Sequence, residues 1–138
     1  MTRTRREHYF ALVESFVNKA VEPYPFCDRY TRMWMQDRDE EYAKVTPSAE
    51  SSGQQMIASF QRDEISREEF QQEYPKLFGY SGEDLKFQDM IDAIHSACSC
   101  FRASPETKWD IDEEQLRQEM SEFLVRYRQQ SALLLQTA

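Results

Sequence analysis

Glycine is scarce in this 138-residue chain; Gly53, Gly79 and Gly82 are the only three. That excludes a glycine-rich phosphate loop and argues for helices over a turn-rich sheet. Cysteine is scarce too. Cys27, Cys98 and Cys100 are an odd number and fit reduced thiols better than a disulfide frame. The only histidines, His8 and His95, lie far apart in sequence. Cys98 and Cys100 would point to nearly opposite sides of a helix, which is not a zinc half-site of ordinary spacing. His95 and Cys98 share a helical face, but no further ligand and no oxyanion hole accompanies them. No metal, cofactor or catalytic residue is therefore expected, and the chain reads as a non-enzyme. No apolar run is long enough to cross a bilayer. Arg3, Arg5 and Arg6 are followed by no signal-peptide core, so a cytosolic protein is expected.

Positive charge is the third shortage. Asp and Glu number 25 against 17 Lys and Arg, leaving a formal charge of -8. Such a chain repels phosphate and makes a poor nucleic-acid binder. It suits a basic partner, whose approach it would steer.

What the sequence does contain is a pattern written twice. Leu12, Val13, Ser15, Phe16, Val21, Phe26, Tyr30, Met33 and Trp34 recur forty-four residues later as Met56, Ile57, Ser59, Phe60, Ile65, Phe70, Tyr74, Leu77 and Phe78. A fixed period of this size suggests one supersecondary unit used twice. Within each copy the spacing is mostly three or four, the helix period. Each copy therefore reads as a helix, a turn and a second helix, and the two are expected to superpose. Phe16, Phe60, Tyr30 and Tyr74 are expected to be buried, the tyrosines with only their hydroxyls near water. Trp34 is expected in the core, equivalent to Phe78.

Taken in order, the periodicity predicts a first helix from about Arg6 to Ala20, ended by Pro23 and Pro25. A second runs from about Pro25 to Tyr42, with its far end, Asp37 to Glu41, solvated. Residues 43–53 read by composition as a flexible linker. A short third helix covers Gln54 to Arg62. Ser66-Arg67-Glu68-Glu69 is a capping box that starts a fourth, which Pro75 interrupts. After a turn at Gly79 to Gly82 a fifth helix spans about Glu83 to Arg102, and Asp112 caps a sixth from Glu113 to beyond Tyr127. Leu133 to Leu135 either dock or fray. The expected fold is a single all-α domain, a bundle of five or six helices made of two related hairpins plus two C-terminal helices.

The candidate partner-binding face comes from acids without an evident local role. Helix five opens with Glu83 and Asp84 and carries an acidic stripe, Asp89 and Asp92. Glu106 lies in the following loop, then Trp109 and Asp110, then Asp112 and Glu113 at the start of helix six. Capping accounts for Asp112 and a helix N-terminus for Glu113. Glu106, Asp110, Asp89 and Asp92 are left without an assigned partner. Trp109, flanked by Lys108 and Asp110, is either an interface anchor or a lid over the bundle end.

Met56-Ile57-x-x-Phe60, Glu64-Ile65-Ser66-Arg67-Glu68-Glu69-Phe70 and Leu77-Phe78-Gly79 are similar to the opening hairpin of the colicin D-type immunity proteins. Trp109-Asp110-Ile111-Asp112-Glu113, followed by Leu116 and Phe123, resembles their last turn and final helix. The resemblance covers roughly residues 54–127. It implies a helical-bundle inhibitor of a secreted bacterial toxin, a tRNA-cleaving ribonuclease, whose basic active site the inhibitor fills with acidic side chains. Larger relatives protect cells that deliver such toxins by contact-dependent inhibition. This chain departs from the pattern in its length and in the acid-poor stretch Ser96 to Arg102. The expected partner is thus a basic toxin nuclease domain, bound by a monomer, with a dimer as the alternative and no direct contact with nucleic acid or membrane. The rival reading is a helical adaptor or regulatory subunit that binds an apolar partner surface.

Overall fold

The computed structural model describes residues 3–137, with side chains over residues 5–134. It is all-helical. Six α-helices follow in order: α1 (Arg3–Val17), α2 (Pro23–Ala43), α3 (Pro47–Gln61), α4 (Arg67–Glu73), α5 (Gly82–Cys100) and α6 (Glu113–Thr137), with a 3-10 turn at Pro75–Phe78 between α4 and α5. There is no strand among the described residues, only an isolated bridge between Phe101 and Ile111.

The long helices α1, α2, α5 and α6 form a four-helix bundle, with α5 packed on both α2 and α6, and α1 on both α2 and α6. Their apolar stripes meet in one core. Tyr9, Val13 and Phe16 come from α1, Phe26 and Tyr30 from α2, Phe87, Ile91 and Ile94 from α5, and Leu116 and Met120 from α6. Burial of side chains this large contributes about 1.5–3 kcal/mol each relative to exposure. Phe16 stacks on Phe26 at 4.3 Å between ring centroids. Tyr30 does not reach water as its spacing suggested. Its hydroxyl is buried and donates to the Ile91 carbonyl at 2.7 Å, tying α2 to α5.

The internal repeat is visible in the backbone. After α1 the amide of Lys19 donates to the Phe16 carbonyl and that of Ala20 to Ser15. After α3 the amide of Asp63 donates to Phe60 and that of Glu64 to Ser59, the same positions in the second copy. Lys19 and Asp63 are the two non-glycine residues at positive φ among the described residues, 64° and 58°. The caps also correspond, Glu22 before α2 and Ser66 before α4. Phe60 stacks on Phe70 at 4.9 Å, as Phe16 does on Phe26.

The copies part company at Pro75. A proline lacks the amide a helix needs and its ring clashes with the preceding turn. Its counterpart, Thr31, lets α2 run on for 21 residues, whereas α4 stops after seven. Phe78 therefore sits in the 3-10 turn while Trp34 lies within a continuous helix, and their expected equivalence fails. The second hairpin also sits outside the bundle core. Phe60 and Tyr74 are half-buried, packed mainly within their own hairpin, which corrects their expected core placement.

Residues 43–53, read as a linker, are mostly helix. The Thr46 hydroxyl accepts from the Ala49 amide and caps α3 at 3.1 Å, and Pro47 takes the first helical position, where no amide is needed. Gly53 is buried there, and a Cβ at that position would come 3.2 Å from the Phe78 ring. At the other end of the chain α6 continues through the Leu133 to Leu135 stretch with Leu133 exposed, and the Leu135 side chain lies outside the described residues.

One end of the bundle is held by Arg6. Its guanidinium donates to Glu83 and Asp84 on α5 and to the Tyr127 hydroxyl on α6, and lies 4.5 Å from the Phe87 ring centroid. Asp84 completes a capping box with Ser81. Partial burial pushes the Asp84 carboxyl up, but the Ser81 amide and hydroxyl and the Arg6 charge outweigh it and hold it below the ordinary 3.8. Its folded value lies below its unfolded one, so its stabilisation is complete above that value and is lost as pH falls through the folded value. Asp84→Asn should therefore flatten the acid limb of stability below about pH 4, measured by denaturant midpoint against pH. An unchanged acid limb would remove Asp84 from this role.

Candidate partner-binding surfaces

The loop between α5 and α6 is short of regular structure but well tied. At its base the Arg102 amide donates to the Ile111 carbonyl and the Ile111 amide to Cys100, both at 3.0 Å. Within it one Asp110 carboxylate oxygen accepts from the amides of Glu106 and Thr107 at 2.9 and 3.0 Å. Those two hydrogen bonds hold the Asp110 carboxyl below its ordinary value. The Ala103 amide donates to the Tyr24 hydroxyl, anchoring the loop to α2. At its far side the Asp112 carboxylate accepts from the Gln115 amide, and the Gln115 side-chain oxygen accepts from the Asp112 amide, a second reciprocal cap.

Trp109 projects from this frame and is 72% exposed, so it is no lid over the bundle end. Lys108 stands over its ring at 4.8 Å. Around it the segment 102–114 carries Glu106, Asp110, Asp112, Glu113 and Glu114 against Arg102 and Lys108. Several of these acids have a structural task, but Glu106, Glu113 and Glu114 remain exposed at the bundle end.

The nine residues expected to share one face do not all meet. Glu106, Trp109, Asp110, Asp112 and Glu113 gather at this end. Glu83 and Asp84 lie at the opposite end of α5, roughly 25 Å away at 1.5 Å per residue, engaged with Arg6 and Tyr127. The stripe between them also divides. Asp92 accepts from the Trp34 indole at 3.0 Å and from Gln88 at 2.8 Å, facing α2. Asp89 lines a small cleft with Lys86 and with Arg126 of α6. Asp92 and Asp110 thus have the local partners that sequence spacing did not assign.

A second surface was not expected. Between α2, α5 and the second hairpin lies a groove of about 520 Å³. Trp34, Leu77, Phe78 and Ile91 are among its walls, and Tyr9 and Asp37 line it from the bundle. Trp34 is half-buried at its edge, not in the core, with its ring stacked on His95 at 3.9 Å and Arg38 at 5.3 Å from its centroid. The segment expected to be solvated supplies the charges. Asp37 is 6% exposed, with Arg5 at 3.1 Å from Oδ1. Arg5 also pairs with Glu40 and Glu41, and Glu41 accepts from Tyr80 at 3.0 Å. Oδ2 of Asp37 and the Tyr9 hydroxyl have no hydrogen-bond partner among the described residues. The Tyr9 hydroxyl is nonetheless close enough to the Asp37 carboxylate to interact with it. Burial first, and Asp37 second, raise the Tyr9 phenol well above its ordinary value, so it keeps its proton.

The signal for this site lay in spacing. Asp37 and Glu41 continue the line of Phe26, Tyr30 and Trp34 at intervals of three and four, and that line faces inward. Their charge hid it.

No helix among the described residues is long and apolar enough to cross a membrane. No group of three or more His, Cys, Asp or Glu among them is placed to hold a metal ion. The three cysteines are free, Cys98 buried. No protein-family model, curated protein or solved structure matches the chain.

Proposed function

We propose that this chain is a non-enzymatic binding protein of the bacterial cytoplasm that neutralises a basic toxin nuclease, in the manner of a colicin-like immunity protein. The observation that carries the reading is Trp109, a large exposed ring on a loop tied at both ends and set among carboxylates. Tryptophan anchors dominate many interfaces, and a loop already ordered loses little entropy on binding. Glu106, Glu113 and Glu114 supply charge that steers a basic partner and opposes nucleic acid. Bound there, the chain would occlude a tRNA-cleaving site by standing where phosphates lie.

The experiment is a titration of a basic tRNase toxin domain with the purified chain, followed by tRNA cleavage. One equivalent should abolish cleavage, while the chain alone cleaves nothing. Cleavage that persists at a large excess would overturn the reading. The rival, a helical adaptor for an apolar partner surface, is favoured by the groove beside α2. The groove's walls carry apolar surface from Trp34, Leu77, Phe78 and Ile91, and self-association or capture of an apolar helix there would support that reading.

A further inference from the structure

We propose that Cys27 of α2 and Cys98 of α5 are a redox pair, two thiols that a small-molecule disulfide oxidises to a single bond stapling α2 to α5. The first support is register. The two helices run antiparallel, with the Tyr24 ring against Phe101 at 5.0 Å between centroids, the Tyr30 hydroxyl on the Ile91 carbonyl and the Trp34 ring on His95. Cys27 lies on this line, midway between Tyr24 and Tyr30. Cys98 lies midway between Phe101 and His95 in the same way. Steps of three residues keep each thiol on the contact face of its helix, so the two stand opposite each other. Both belong to one core, Cys98 buried in it and Cys27 packed against it. Cys100 is turned about 200° further round α5, away from this contact.

The second support is the state of the thiols. All three cysteines are free, Cys27 half-buried and Cys98 buried. The hydrogen bond with Cys98 lowers the Cys27 thiol below its ordinary value, against the opposing effect of burial. The same contact first, and burial second, raise Cys98 well above that value. Cys27 is therefore the group that ionises, and the Cys98 S–H donates to its thiolate. A thiolate within reach of solvent is the attacking group in disulfide exchange. A second thiol poised beside it is the resolving one.

The Cys27 thiolate attacks one sulfur of the small disulfide, whose S–S bond breaks, and one half leaves as a thiolate. Cys98 gives up its proton to solvent and attacks the Cys27 sulfur. The mixed disulfide breaks, and the second half leaves. Two protein thiols are thereby oxidised to a disulfide, the small disulfide is reduced to two thiols, and the protons lost by Cys27 and Cys98 are those the leaving thiolates take up. A reducing compartment keeps the pair as a dithiol, and a rise in disulfide oxidant closes it. The staple lies beside Tyr24, whose hydroxyl accepts from the Ala103 amide and holds the Trp109 loop to α2.

Every readout uses the chain alone, so failure here leaves the toxin reading untouched. The reduced full chain is incubated with oxidised glutathione and followed by intact mass. It should end lighter by the hydrogens of two thiols and carry no glutathione. Alkylation and fragmentation should then find Cys100 labelled and Cys27 joined to Cys98. The thermal midpoint should rise by about 5 °C or more, as for a long loop closed in its native geometry, and dithiothreitol should reverse the rise. Cys98→Ala should stop at one glutathione held on Cys27. Because that change touches the core, Cys27→Ala, at the half-buried member, is the second variant and should form no internal bond. Cys100→Ser should oxidise as the wild type does. A bond that joins Cys100, glutathione retained on the wild type, thiols left unreacted, or a midpoint that falls on oxidation would each overturn the proposal.

Discussion

Replacing Phe16 with alanine is expected to destabilise the protein by about 3–5 kcal/mol, the range for a fully buried phenylalanine. The ring is wholly buried, stacked on Phe26 and covered by the Arg117 guanidinium 4.2 Å from its centroid. Arg117 also donates to the Phe16 carbonyl at the end of α1, so the cavity would open beneath a fixed cation. The same change at Phe60, its repeat partner, should cost about half as much or less, because that ring is already half in water and packs against Phe70. Denaturant titration of both variants measures the difference. Amide exchange should accelerate in α3 and α4 of Phe60→Ala while the bundle stays protected. Equal costs would mean that the second hairpin shares the core of the first.

Trp109→Ala should leave the thermal midpoint almost unchanged and weaken partner binding by about 2 kcal/mol or more, as for an interface anchor, or roughly 30-fold in Kd. The asymmetry follows from exposure. A side chain 72% in solvent contributes little to folding, and the loop is tied by its backbone and by Asp110, not by the indole. Calorimetry of the complex reads the loss. A large drop in stability with unaltered affinity would turn Trp109 into a structural residue.

The parts of the fold that depend on local grammar were legible in the sequence. The caps at Ser66, Ser81 and Asp112 stand where side-chain chemistry put them. The repeat was legible down to its turns, because the apolar register that buries Phe16 and Phe26 also fixes where α1 must end. What spacing could not convey was which copy would find partners. Phe60 and Phe70 follow the same pattern as Phe16 and Phe26, but whether α5 and α6 cover a given hairpin is decided by tertiary competition. Pro75, by shortening α4, removes the length of helix that lets α2 lie along α5. Charged residues misled for a related reason. Asp37 reads as solvent-facing until Arg5, far away in sequence, is brought beside it. Likewise the partners of Asp92 and Asp110, the Trp34 indole and two loop amides, are set by the fold and not by helical spacing. At the candidate site, the loop half of the acidic cluster was legible because its residues are near neighbours. Glu83 and Asp84 fall outside that cluster because a helix of 19 residues sets its two ends roughly 25 Å apart.

The central claim is that the Trp109 end meets a basic partner. The most direct measurement is the association rate constant with a basic tRNase toxin domain for three proteins. These are the wild type, the reversal Glu106→Lys with Glu114→Lys, and the reversal Glu68→Lys with Glu69→Lys on the exposed start of α4. Asp110, Glu113 and Glu41 are left alone because each holds structure, Asp110 in the loop, Glu113 against Arg117 and Glu41 against Tyr80. The account predicts that the loop reversal slows association about ten-fold or more at low salt, that rising ionic strength erases much of the difference, and that the α4 reversal matches the wild type. Slow association of the α4 variant beside a normal loop variant would contradict it and move the binding face to the second hairpin.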